Sequence, residues 1–184
     1  MNIDFQILDF IQAHMRCSFL DMAMPLITKL GDVGIIWIVL ALGLLLYPKT
    51  RKVGAAVSAG LVLEALCCNV LLKPVVARIR PYEVNLAVQL LIEKPVDFSF
   101  PSGHTAAAFA TTSALFFSKS RLWIPALVLS VLLAFSRLYL YVHYPTDVLA
   151  GALLGILAGW IGSVMIRGNF LWRKGKRSKN SYGK

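Results

Sequence analysis

Three stretches of this chain, residues 53–72, 122–142 and 148–166, stay apolar over the roughly 20 residues an α-helix needs to cross a bilayer. Two shorter runs extend the pattern. Residues 34–47 are intensely apolar but must borrow length from residues 26–33, where Lys29 and Asp32 would lie near the interface. Residues 105–117 reach crossing length only if residues 101–104 belong to their first turn. A hydrophobic content of 58 % and a mean hydropathy of +0.69 exceed what a soluble globule of 184 residues carries. The expected fold is all-α: one membrane-embedded domain over residues 1–184, a polytopic transmembrane helical bundle. It has five crossings, or six if residues 18–30 also span.

The N-terminal segment reads differently. Residues 2–15 bring Ile3, Ile7, Phe10, Ile11 and Met15 near one helical face, with Asp4 and Asp9 elsewhere, the pattern of a helix lying at a membrane interface. The opening MNIDFQILDF lacks a basic region, so no cleavable signal peptide is expected. Asp21 and Pro25 argue against a simple crossing by residues 18–30 and suit a surface or partly inserted helix.

A formal charge of +10 raises the question of a nucleic-acid partner. Residues 47–52, 118–121 and the tail 167–184 hold twelve of the 19 Lys and Arg and none of the nine acids. With five crossings these segments share one side of the membrane, and the positive-inside rule makes that side the cytoplasm. The basic balance is therefore a topology signal with no nucleic-acid partner implied, and the tail is expected to be cytoplasmic, near anionic lipid heads. Cys17, Cys67 and Cys68 have neither metal-ligand nor disulfide-framework spacing and read as small packing residues. Gly151, Gly155 and Gly159 form a ridge on the last crossing that lets helix backbones approach closely, and the Ala/Thr-rich residues 105–112 give another slim helix.

Against this apolar background the cations near the other helix ends stand out. Arg137 inside a hydrophobic segment costs at least about 2.5 kcal/mol unless water, a partner or a ligand compensates. Lys73, Arg80, residues 101–104, Arg137 and His143 to Asp147 all fall at the membrane face opposite the basic loops. Three cations, two histidines and helix N-termini make an anion site. Ser102 is a natural N-cap, Gly103 lets backbone approach a phosphate oxygen, and His104 projects from the opening turn. Pro145 suits the first turn of the last helix, with Asp147 just inside it and able to orient His143. His14 lacks such neighbours and is assigned no chemistry.

These residues match a known pattern. KPVVARIRP (residues 73–81) resembles KxxxxxxRP, residues 101–104 resemble PSGH, and SRLYLYVHYPTD (residues 136–147) resembles SRxxxxxHxxxD. Together they resemble the signatures of the type 2 phosphatidic acid phosphatase family, which also includes soluble vanadium haloperoxidases. The resemblance implies a phosphatase using neither metal nor cofactor. Lys73, Arg80 and Arg137 would hold the phosphate with Ser102 and the Gly103 backbone. His143 would attack phosphorus to form a phosphohistidine, Asp147 would fix its tautomer, and His104 would protonate the leaving oxygen and then activate water.

Short length and the amphipathic N-terminus are most similar to the small bacterial undecaprenyl-diphosphatases of that family. The implied reaction is hydrolysis of undecaprenyl diphosphate to the monophosphate and phosphate at the extracytoplasmic face, with a lipid phosphate or diphosphate and the bilayer as partners. Phosphatidic acid, phosphatidylglycerol phosphate and lipid A phosphate are alternative substrates, and a lipid-phosphate binder or transporter is the non-enzymatic alternative. A vanadate-dependent oxidase fits poorly with such apolar helices. No oligomeric state is implied. Residues 85–93 are either an amphipathic surface helix edging the cleft or a solvated connector, with Glu83, Glu93 and Asp97 near the head group. Glu64 and Asn69 are either functional or helix-bonding.

Overall fold

The computed structural model describes residues 3–181, with side chains for residues 3–168, so most of the basic tail lies outside the described side chains. The helices are α1 (Ile3–His14), α2 (Ser18–Leu30), α3 (Ile35–Leu46), α4 (Arg51–Ala65), a π-helical stretch (Leu66–Leu72), α5 (Lys73–Val76), α6 (Pro81–Val84), α7 (Gly103–Phe117), α8 (Trp123–Tyr139) and α9 (Pro145–Ser181). No strand occurs among the described residues.

The small-residue ridge decides the packing. α7 runs through the centre of the bundle, buried along most of its length from Thr105 to Leu115. Its close neighbour is α9: a Cβ on Gly151 would lie 2.6 Å from the Ser102 carbonyl oxygen. The same operation at Gly155 and Gly159 would strike the Ala106 and Ala110 carbonyls. On another side Gly60 of α4 sits where a Cβ would meet Gly159 Cα at 3.0 Å. In lipid, where apolar burial does not drive helices together, backbone approach of this kind supplies the dispersion contacts that do.

Two helical stretches are long and apolar enough to cross a membrane, Arg51–Val84 and Pro145–Gly168. α2 and the segment Asp32–Leu46 reach that length only as a pair bent by 43°. α8 has 17 residues and α7 has 15, about 22 to 26 Å of helix against a hydrocarbon core of about 30 Å. Only Gly103 and His104 of the tetrapeptide join α7; Pro101 and Ser102 stay outside it. At the far end of the bundle, Lys119, Arg121 and Arg167 line one surface cleft and Lys52 and Arg167 another, so the basic segments do gather together.

One local expectation changes, and one choice left open is decided. α1 turns Ile3, Ile7 and Phe10 outward, while Asp4 is buried with Leu8 and Ile11. Asp4 is thus on the packed face, because Arg78 and Thr146 stand there to meet it. Residues 85–93 form no helix; they lie in an irregular run between α6 and α7, tied down where Tyr82 Oη donates to the Pro95 carbonyl at 2.7 Å.

Candidate active site

Each site residue sits at a break in helical structure. Lys73 follows the π-helical stretch, a widened turn of the kind often found at functional sites. Arg80 is the N-cap of α6, with Pro81 fixing the first turn. Gly103 and His104 open α7, and Arg137 is in the last turn of α8. His143 lies in the tight link to α9, where Tyr141 adopts φ 58°. A cavity of about 990 Å³ joins them: Lys73, Arg80, Gly103, His104, Arg137 and His143 all line it. Five of the expected residues are therefore brought together with the Gly103 backbone. The mouth is partly apolar, with Leu90, Leu91, Ile92 and Pro25 on its wall.

His143 is 1 % exposed. Arg80 Nη1 is 3.3 Å from His143 Nε2 and also donates to the Val142 carbonyl at 2.7 Å. A guanidinium only donates, so His143 Nε2 faces it as an acceptor and the ring proton belongs on Nδ1. That nitrogen is 3.5 Å from Asp147 Oδ2, within ion-pair range though it makes no hydrogen bond. Burial lowers the His143 pKa, and the charges of Arg137 and Arg80 add to the effect against the pull of Asp147, bringing it to about 3. The ring is neutral at pH 7, with a lone pair on Nε2.

Asp147 is fully buried and heavily bonded. Ser99 Oγ donates to its Oδ2 at 2.5 Å, as does the Tyr144 amide at 3.0 Å. Arg78 Nη1 donates to Oδ1 at 2.5 Å. Arg78 in turn reaches Asp4 of α1 at 2.7 Å and lies over the Tyr144 ring, 3.8 Å from its centroid. Asp4 also accepts from the Thr146 amide and hydroxyl at 3.1 and 2.8 Å. The N-terminal helix is thereby pinned to the turn that carries His143.

Asp97 of the long connector enters the cation cluster. Its carboxylate pairs with Lys73 and accepts from Arg80 Nη2 at 2.5 Å, and its carbonyl accepts from Arg80 Nε at 2.8 Å. Burial alone would raise its pKa; the Lys73 hydrogen bond and the charges of Lys73 and Arg80 outweigh that and hold it at about 2. Arg137 is 3 % exposed and donates to Thr28 Oγ1 at 2.6 Å, with its Nε buried and unpartnered. A Cβ on Gly103 would lie 3.7 Å from Lys73 Nζ.

Ser102 stands apart from the cavity wall. It occupies the N-cap position of α7, but its buried hydroxyl pairs with Thr105 Oγ1 at 3.0 Å and caps no backbone amide. Its backbone amide donates to the Asp147 carbonyl at 3.1 Å, which joins the starts of α7 and α9. Glu64 is buried and lines a smaller neighbouring cavity with Asn69, Lys73 and His104. Sequence reasoning did not single out Asp4, Arg78, Asp32 or Thr28 as site-supporting. Arg78, the first of the two cations in the ARIR run, carried the clearest signal, because a charge in so apolar a context calls for a partner.

The chain matches the PAP2 superfamily over residues 53–171. It is 36 % identical over 135 residues to the undecaprenyl-diphosphatase of Sulfolobus acidocaldarius, a match covering 72 % of this chain and 63 % of that protein. It is 34 % identical over 148 residues to the undecaprenyl-diphosphatase BcrC of Bacillus subtilis, covering 78 % of this chain and 74 % of the relative. The similarity thus spans just under two thirds of the Sulfolobus protein and about three quarters of the Bacillus one. The fold resembles that of the transmembrane PAP2-type phosphatidylglycerolphosphate phosphatase of Bacillus subtilis, with a TM-score of 0.70 and 30 % identity over 90 % of this chain and 83 % of that one. Apolar helices and a transmembrane structural neighbour identify a membrane-embedded protein. With the matched region covering well over half the chain, and its three motif blocks converging on one cavity, the protein belongs to the PAP2 superfamily.

Proposed function

We propose that this protein is a membrane lipid phosphatase that hydrolyses undecaprenyl diphosphate to undecaprenyl phosphate and inorganic phosphate. One observation carries the reading: a neutral, buried His143 presents Nε2 beside Arg80 in a cavity that also holds Lys73, Arg137 and His104. Lys73, Arg80 and Arg137 would neutralise the terminal phosphate, and its equatorial charge in the transition state, with the Gly103 backbone allowing close approach and Ser102 bracing that turn. His143 Nε2 attacks phosphorus as the bridging P–O bond breaks, and His104 gives its proton to the departing lipid phosphate. In the second step His104 takes a proton from water, oxygen bonds to phosphorus, and the P–N bond breaks to release phosphate. Asp147 holds the His143 tautomer throughout. No step needs a metal or cofactor.

The apolar mouth formed by Leu90, Leu91 and Ile92 suits an isoprenoid chain leaving the bilayer. Gathering of Lys52, Lys119, Arg121 and Arg167 at the other end supports a cytoplasmic C-terminus and an extracytoplasmic site. The bond from Asp4 to Arg78 keeps α1 at the site end, which favours five crossings with α1 and α2 at the interface, all within one domain.

The deciding measurement is phosphate release by purified protein from undecaprenyl diphosphate, phosphatidic acid and phosphatidylglycerol phosphate. Undecaprenyl diphosphate is expected to be preferred, and His143→Ala is expected to lose about 10⁴-fold or more of the activity. Preference for either glycerolipid would move the substrate assignment, and binding without phosphate release by folded wild-type protein would replace the enzyme with a lipid-phosphate binder.

A further inference from the structure

Three features of the break between α2 and α3 converge on His104. Asp32 Oδ1 is 3.0 Å from His104 Nε2. A Cβ on Gly31 would lie 2.7 Å from His104 Cδ2, so the imidazole rests against this turn in space that only glycine leaves open. Val33 and Gly34 then both adopt left-handed backbone, φ 53° and 69°. A β-branched residue takes that conformation only where its surroundings impose it, and such outliers cluster at functional sites. The chain bends here by 43°, and the bend brings Asp32 to the histidine. Arg137 from α8 and Lys73 beyond the π-helical stretch face His104 as cations, while Asp97 and Glu64 line the adjoining cavity walls.

We propose that Asp32 is a positioning residue for His104, completing a second histidine–carboxylate pair across the cavity from His143 and Asp147. The proposal rests on the reading of His104 as the general acid. Asp32 accepts from Nε2–H and leaves Nδ1 for the substrate. The acid form is the imidazolium, protonated on both nitrogens, and in the first step the proton moves from Nδ1 to the leaving oxygen as the P–O bond breaks and the bond from phosphorus to His143 forms. The ring stays bonded to Asp32 through Nε2–H, and its Nδ1 lone pair then takes the proton of the attacking water. Without Asp32 the ring loses its hydrogen-bonded anion against Arg137 and Lys73, and with it the contact that selects Nδ1 as the reacting nitrogen.

A general acid matters in proportion to the basicity of the group it expels. First-turnover rates for wild type, Asp32→Asn, Asp32→Glu and His104→Ala, measured with a short-chain phosphatidic acid and with p-nitrophenyl phosphate, therefore test the assignment. Asp32→Asn is expected to slow cleavage of phosphatidic acid, whose alkoxide leaves poorly, about thirtyfold or more, and that of p-nitrophenyl phosphate about threefold or less. Asp32→Glu should recover part of the loss. Equal losses with the two substrates, or no loss with either, overturn the role of Asp32. If His104→Ala discriminates between the substrates while Asp32→Asn does not, only Asp32 falls. If neither discriminates, the acid assignment of His104 falls with it, and a wild-type protein that releases phosphate from neither substrate and not from undecaprenyl diphosphate overturns the phosphatase reading itself.

Discussion

His143 and His104 line one cavity, yet the carboxylates beside them sit in opposite surroundings. The Asp147 side chain is 0 % exposed and is bonded by Ser99, Tyr144 and Arg78, whereas that of Asp32 is 53 % exposed on the α2–α3 turn. The elements behind them differ as well. Asp147 belongs to the α7–α9 seam, where missing side chains let two backbones touch, and it is braced from outside by Arg78 and Asp4. Asp32 belongs to a bend with left-handed backbone. A group that forms a covalent bond to phosphorus must hold its geometry, because an ångström of misplacement costs about two orders of magnitude in rate. A group proposed to give a proton to the lipid and then take one from water serves two partners in turn, and a half-exposed tether suits it. The difference teaches that one pair is built into the core and the other into a joint.

Asp147→Asn probes the rigid side most severely. It removes the charge behind His143 and leaves Arg78 facing a neutral amide, so a loss of roughly 10³- to 10⁴-fold in kcat is expected, together with a lower Tm in detergent. If its effect on kcat is no larger than that of Asp32→Asn, the contrast between the two pairs collapses. Asp4→Ala tests whether the brace reaches the chemistry. Arg78 keeps Asp147 but loses its second carboxylate, and the Thr146 amide and hydroxyl lose their acceptor. About 1–3 kcal/mol of stability should disappear, with kcat reduced about tenfold. A drop in Tm with unchanged kcat would reduce α1 to a structural support.

The smallest effect concerns the cations between the two pairs. Asp97 occupies Lys73 and Arg80 where a phosphate is proposed to bind, so Asp97→Asn is expected to lower KM and the vanadate inhibition constant about three- to tenfold. Because its folded-state pKa of about 2 lies below the ordinary 3.8, Asp97 stays ionised down to about pH 3. The wild-type to variant KM ratio should accordingly be flat between pH 5 and 8. A rise in KM would mean that Asp97 arranges the cations for the substrate instead of competing with it.

Most of the site was legible in sequence because its members are local exceptions to an apolar rule. Lys73, Arg80, Arg137, His104 and His143 stand at helix ends that are otherwise greasy, and in lipid a charge without a partner is costly enough to announce a function. The glycine ridge was legible for a related reason, since small residues every fourth position mark a face where backbones meet. Ser102 was misleading in part: its type and place fit a cap, but Thr105 one turn on offered its hydroxyl a nearer partner. The run 85–93 was ambiguous because its apolar residues fit a helical face, while the connector is instead held by tertiary bonds such as that of Tyr82 to the Pro95 carbonyl.

By itself the sequence determined that the chain is a helical membrane protein, which ends of its helices carry the cations and histidines of the candidate site, and which two helices are slim enough for close packing. These properties follow from hydropathy, from residue size and from motif spacing within single segments. Only the tertiary structure decided the partners: Asp4 with Arg78 across 74 positions, Asp32 with His104 across 72, and Asp97 with Lys73 across 24. A lone acid in a sequence says that it needs a cation or a donor, and nothing about which one. That choice is made when helices dock, because only then do groups far apart in the chain come within hydrogen-bond reach and give up water for each other.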